Sequence, residues 1–162
     1  MIFNDQKIIK MERITLKRAI HSAKKIKGVI AFIITLICIF LFLTAGYSKF
    51  IDHEKFEFGL ANVALIGSAA RIISWAVPIT EIAISLLLII PKTNIAGLYA
   101  FMGTMIVFTI YILSMFLWAK ELPCNCNLII KNLSWAGHVW FNLIIIGLSI
   151  LAIKINKTNF KS

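Results

Sequence analysis

The sequence predicts an all-α membrane protein: a four-transmembrane-helix bundle with an amphipathic N-terminal helix and an outer interfacial helix. Composition and charge placement both point there. Hydrophobic residues make up 60% of the 162 and charged residues 15%, against about 45–50% and about 25% in soluble domains. Mean hydropathy is +0.90. The charges are segregated, with eight of the seventeen Lys and Arg lying before Gly28. No repeat and no low-complexity linker divides the chain. The expected organisation is a basic segment over 1–28, one membrane domain over 29–153 and a short tail over 154–162.

In the N-terminal segment, Ile9, Leu16, Ile20 and Ala23 fall at helical spacing among lysines. That pattern fits a helix on the cytoplasmic leaflet; a frayed basic tail is the plainer alternative. Four apolar segments then reach the ~20 residues that a hydrocarbon core of about 30 Å requires: Val29–Phe50, Ile72–Ile90, Ile95–Trp118 and Leu133–Ile153. The first is too long for the apolar part of a signal peptide, and no small-x-small cleavage site follows it, so it reads as a retained span. The second holds Pro78 and Glu81, which are tolerated in a span when neighbouring helices cover them. Between the first two spans, His53–Arg71 is moderately apolar and reads as an interfacial or re-entrant helix that breaks near Gly67-Ser68.

A net charge of +10 raises the question of nucleic acid. The charge sits in the flanks, with no basic stripe interleaved with aromatics, so it reads as topology information instead. With both termini cytoplasmic, the inside carries twelve Lys and Arg and the outside five (Lys49, Lys55, Arg71, Lys120 and Lys131). The expectation is a bacterial inner-membrane, multi-pass protein whose third loop faces the periplasm.

That loop contains Cys124 and Cys126 in Leu-Pro-Cys-Asn-Cys-Asn. Residues i and i+2 of an extended segment lie about 6–7 Å apart at Cα, at the edge of the disulfide window. A strained bond there is readily exchanged. A redox pair, a static disulfide and two inert thiols are the competing readings. No second Cys/His pair stands at ligand spacing, so no metal site is predicted. Cys38, in mid-span, reads as a small interface residue.

Glu81 is an acid within a span, which by default marks function. It has three roles open to it: relaying protons, hydrogen-bonding a quinone head group, or pairing with Lys49. A bare packing salt bridge is the alternative. His138 and Asn142 share one face of the fourth span and suit a quinone contact or acid–base assistance to thiol exchange; two polar residues satisfying each other is the plainer reading. Trp75, Trp118, Trp135 and Trp140 suit an outer aromatic belt. Gly97, Gly103 and Gly147 read as points of close helix contact. Nucleotide-binding, metalloprotease and serine-hydrolase motifs are absent.

Several stretches together resemble a known family. Thr44–Phe56, with Gly46-x-x-Lys49-x-x-Asp52, is similar to the G-x-x-K-x-x-D region of DoxX-like proteins, and Pro78-x-x-Glu81 to their P-x-x-E helix. Pro123-Cys124-Asn125-Cys126, followed by Leu133-Ser134-Trp135 and His138–Asn142, resembles the MauE branch. The resemblance covers Val29–Ile153. It implies a four-helix membrane bundle, with quinone-coupled sulfur oxidation in some relatives and maturation of a disulfide-rich partner in others.

On these grounds the leading expectation is a redox-associated membrane protein. It exchanges disulfides with a periplasmic partner through Cys124 and Cys126, with Glu81 and His138 as polar contacts and quinone as the lipid-soluble carrier. The rivals are a non-catalytic membrane subunit or maturation factor that docks a partner and carries a structural CxC, and a small transporter with Glu81 as its coupling acid. Four spans are few for alternating access without oligomerisation.

Overall fold

The computed structural model describes the backbone of residues 2–63, 66–118 and 135–160, with side chains at 16, 18, 20–63, 66–114 and 137–158. Five α-helices follow in order: α1 (Ile2–Ile51), α2 (His53–Ala61), α3 (Ala70–Ile89), α4 (Asn94–Trp118) and α5 (Trp135–Phe160). A short 3-10 turn, Gly67–Ala69, precedes α3. Helical stretches long and apolar enough to cross a membrane lie at Ile20–Ile51, Gly67–Ile89, Asn94–Ser114 and Gly137–Thr158.

The N-terminal segment is helical and runs without interruption into the first span as one 50-residue helix, about 75 Å long at 1.5 Å per residue. Leu16 and Ile20 on it are exposed. Asp52 ends α1 and starts α2: its N–H donates to Ser48 O, and its own carbonyl accepts from the N–H of Phe56.

The four long helices form a ring in which α1 packs on α3 and α5, and α4 packs on the same two. Across its centre, Phe42 of α1 meets Phe101 of α4 with ring centroids 4.2 Å apart. Ile34, Cys38, Ile84, Leu88, Leu98 and Ile145 fill the rest of this inner core, so Cys38 is the interface residue its position suggests. Between helices in lipid there is little hydrophobic drive, and close packing of small side chains takes its place. Ala31, Ala45, Ser74, Ser85, Ser149 and Ala152 are buried accordingly. The buried hydroxyls return to their own helices, Ser85 to Glu81 O, Thr109 to Met105 O and Ser149 to Ile145 O, which spares them a partner across the interface.

Of the three glycines expected at helix contacts, one is there. A Cβ on Gly97 would lie 3.0 Å from Leu88 N and 3.1 Å from Leu87 C, so α3 and α4 touch backbone to backbone. Gly103 and Gly147 face open space; they lie on outward faces, and the expectation fails for them. Gly46, which the glycine pattern did not single out, holds α1 against α3. A Cβ there would meet Ile82 Cγ1 at 3.3 Å and Pro78 O at 3.4 Å.

The C-terminal parts of α3 and α5 and the start of α4 are tied by side chains. Thr93 Oγ1 donates to Leu87 O and Asn94 Nδ2 to Leu88 O, both at 2.8 Å. These bonds satisfy carbonyls that the end of α3 leaves without helical partners. Asn156 Nδ2 of α5 donates to Asn94 Oδ1 at 3.0 Å. At the opposite end of the bundle, α2 packs on α3. The interfacial helix is shorter than the sequence pattern indicates: it closes at Ala61, with Asn62 as its C-cap. Gly67 belongs to the following turn, where a Cβ would come 2.5 Å from Ala61 O; only glycine fits that approach.

Candidate functional site

In an α-helix the side chain leans toward the helix N-terminus. Lys49, near the C-terminal end of α1, therefore leans back over the turn that Gly46 leaves bare. There it meets Glu81 of α3. Lys49 Nζ lies 2.6 Å from Glu81 Oε1, with the two side chains 8% and 1% exposed. The pairing follows from a coincidence of spacing: Gly46 and Lys49 stand three residues apart on one face of α1, Pro78 and Glu81 three apart on one face of α3. The Gly46–Pro78 contact brings the faces together, and the ion pair closes over it. Phe56 and Phe108 flank the ammonium, with ring centroids 5.8 and 5.5 Å from Nζ. Cation–π attraction supplements the carboxylate there.

The carboxylate is half used. Glu81 Oε2 is buried and has no hydrogen-bond partner among the described residues. An acceptor left bare in an apolar interior is costly, and such an exception calls for a specific explanation.

Glu81 and Lys49 line a cavity of about 300 Å³ in the half of the bundle nearer α2. α5 contributes His138, Phe141 and Asn142 to its wall, α4 contributes Phe108 and Tyr111, and α2 roofs it with Phe56 and Leu60. The wall is otherwise apolar. The structure therefore gathers Glu81, Lys49, His138 and Asn142 from the sequence reading around one space and adds Tyr111 to them. Tyr111 went unremarked in the sequence because a tyrosine near a span end reads equally well as a belt residue. The cavity's apolar wall with a few convergent polar groups is the usual make-up of a small-molecule site, and its volume stands at the lower end of the ~300–1,000 Å³ range of such sites.

Cys124 and Cys126 lie outside the described residues. The chain segment that carries them leaves α4 after Trp118 and enters α5 at Trp135, and His138 sits in the first turn of α5.

Comparison with protein families gives a match to the model described as methylamine utilisation protein MauE, over residues 27–155. The chain belongs to the MauE family. Its four apolar helices and this membership make it a multi-pass membrane protein. The match is to MauE itself; the wider DoxX-like resemblance rests on the sequence motifs alone. Comparison with curated proteins and with solved structures gives no significant match.

Around the cavity's roof, His53 stacks on Trp75 with centroids 4.2 Å apart, and Phe50 meets the same indole edge-on at 5.9 Å. Trp75 and Trp140 are both well exposed, which suits the outer belt; the side chains of Trp118 and Trp135 lie outside the described residues.

Proposed function

We propose that this MauE-family protein is a bacterial inner-membrane redox protein. It exchanges disulfides with a periplasmic partner through Cys124 and Cys126 and passes the electrons to a quinone held in the cavity beneath α2. The observation that carries this reading is Glu81, a buried carboxylate with one oxygen unpartnered among the described residues, lining an apolar cavity that also holds His138 and Asn142. That wall suits a flat ring with polar oxygens at its edge, and the unpartnered Oε2 gives the ring something to bond. The family's description concerns methylamine utilisation; a protein that matures a disulfide-bearing redox partner fits that description without requiring an amine as ligand.

The thiol chemistry balances as two exchanges. A client thiolate attacks the Cys124–Cys126 disulfide, forming a mixed disulfide and releasing one thiolate of the pair. The client's second thiolate then displaces the remaining cysteine, leaving the client oxidised and the Cys124/Cys126 pair reduced. A bound quinone supplies the oxidant, taking up two electrons and two protons to become hydroquinone as the pair returns to the disulfide. Glu81, with Lys49 fixing its Oε1, orients the ring edge. His138 and Asn142 hold the opposite side, and the roof of Phe56 and Leu60 shields the site from water.

The charge distribution supports the orientation. With Lys49 neutralised inside the bundle, the outer side keeps four Lys and Arg (Lys55, Arg71, Lys120 and Lys131) against twelve inside, a stronger positive-inside bias. Maleimide trapping on intact cells, comparing wild type with Cys124→Ser and Cys126→Ser, tests the exchange. A mixed reduced and oxidised population, or a client captured by one single mutant, is the expected result. A fully oxidised pair that resists mild reductant and captures nothing favours the second reading, a non-catalytic subunit that docks its partner. The observation on that side is the Lys49–Glu81 pair itself, which also locks α1 to α3.

A further inference from the structure

We infer that the cavity discriminates between the two redox forms of its ligand and favours the hydroquinone, with Glu81 as the specificity-determining residue. The inference rests on the quinone reading above and goes beyond it, because it fixes which form is held more tightly.

A carboxylate only accepts hydrogen bonds. Oε1 of Glu81 already accepts from Lys49 at 2.6 Å, and Oε2 has no donor among the described residues. What Oε2 lacks is therefore a donor. A hydroquinone carries two O–H donors, whereas a quinone carries two carbonyls and none. Glu81 lines the cavity while Oε2 itself is closed over; a turn of the carboxylate that presents Oε2 to a hydroquinone O–H satisfies the buried acceptor, whereas against a quinone carbonyl it sets oxygen against oxygen.

The other polar groups do not cancel this preference. Asn142 and the Tyr111 hydroxyl can both donate and accept, as can a neutral imidazole at His138, so α4 and α5 serve either form alike. Lys49 is a donor and would favour a carbonyl. Its charge, however, is committed to Glu81, and its ammonium lies between the rings of Phe56 and Phe108. A site built to bond an O–H rejects the analogue lacking it much more strongly than an apolar pocket rejects a change of size. The consequence for electron flow is direct. Tighter binding of the reduced form raises the potential of the bound couple, by about 30 mV for each tenfold preference in a two-electron reaction, and so draws electrons from the thiol pair toward the ring.

The test is calorimetric titration of the purified full-length protein in detergent under argon, with a short-chain benzoquinone and separately with its dithionite-reduced hydroquinone. The expected result is hydroquinone binding at least tenfold tighter. Glu81→Gln supplies both a donor and an acceptor and should abolish the preference. Because that change leaves Lys49 buried without its partner, Lys49→Met/Glu81→Gln, which removes both charges, is titrated beside it. Loss of the preference in the double variant, with binding retained, supports the assignment. Equal affinities in wild type, a preference for the quinone, or a preference unchanged in the double variant overturns it while leaving the cavity as the quinone site. Binding of neither form overturns the quinone reading itself, and this inference with it.

Discussion

Lys49 of α1 and Glu81 of α3 meet at 2.6 Å because Gly46, one turn before the lysine, has no side chain to keep the helices apart. The pair is buried on both sides, and only one carboxylate oxygen is spent on it. Burying two charges is seldom net stabilising compared with an apolar pair of the same shape, whereas removing one partner is strongly destabilising. A pair of this kind in a membrane bundle therefore argues for use as well as for packing.

The first prediction separates those roles. Glu81→Ala strands the Lys49 ammonium in the interior and should cost about 3–5 kcal/mol of stability. Lys49→Met/Glu81→Leu removes both charges and should recover most of that loss. Unfolding in mild detergent followed by near-UV circular dichroism reads the difference. A double variant as unstable as the single would show that the loss comes from packing volume and not from the stranded charge.

Gly46 should tolerate a methyl and reject anything larger. In Gly46→Ala the nearest neighbours are Ile82 Cγ1 at 3.3 Å and Pro78 O at 3.4 Å, a contact tight by a few tenths of an ångström at most, so stability should stay within about 1 kcal/mol of wild type, the gain of alanine over glycine in a helix offsetting the contact. Gly46→Leu drives α1 and α3 apart and should cost about 1–3 kcal/mol, as overpacking does. A cysteine cross-linking scan between the two helices would report the separation.

The same contrast divides the remaining helix glycines. Gly97→Ala presses a methyl onto the backbone of α3 at 3.0 Å from Leu88 N and should destabilise by about 1–3 kcal/mol. Gly103→Ala and Gly147→Ala add a methyl to open space and should stabilise by about 0.5–1 kcal/mol through helix propensity. Thermal aggregation midpoints of the three single variants decide the matter.

Asn94 is a further test at the end of the bundle opposite α2. Its side chain donates to Leu88 O and accepts from Asn156. Asn94→Ala leaves a carbonyl and an amide without their partners and should cost about 1–3 kcal/mol. Hydrogen exchange should rise in the last turn of α3 and the last turns of α5, with α1 unaffected.

Much of this was legible in the sequence. Four long apolar runs can do little but span, and an acid inside one of them has to find a partner or a use. The pairing of Glu81 with Lys49 was among the roles its position allowed. Other features were not legible, for reasons that are physical. A lysine near a span end ordinarily reaches outward to the head groups. That Lys49 reaches inward depends on the lean of the side chain and on the bare turn at Gly46, and both need the neighbouring helix to be visible. The glycines failed for a related reason: spacing along one helix does not say which face meets a partner, and Gly103 and Gly147 look outward while Gly97 looks in. The interfacial helix ends at Ala61 because the chain must turn back toward α3, a demand set by the bundle and not by local apolarity.

The most direct test couples the cavity to the cysteines. The redox state of Cys124 and Cys126 is trapped with maleimide in membranes holding either the wild-type protein or Lys49→Met/Glu81→Gln, before and after addition of a short-chain benzoquinone. The account predicts that the quinone shifts the wild-type pair toward the disulfide, and that the double variant, present at equal level, stays more reduced and responds weakly. A pair whose oxidation state ignores both the quinone and the cavity substitutions would contradict it.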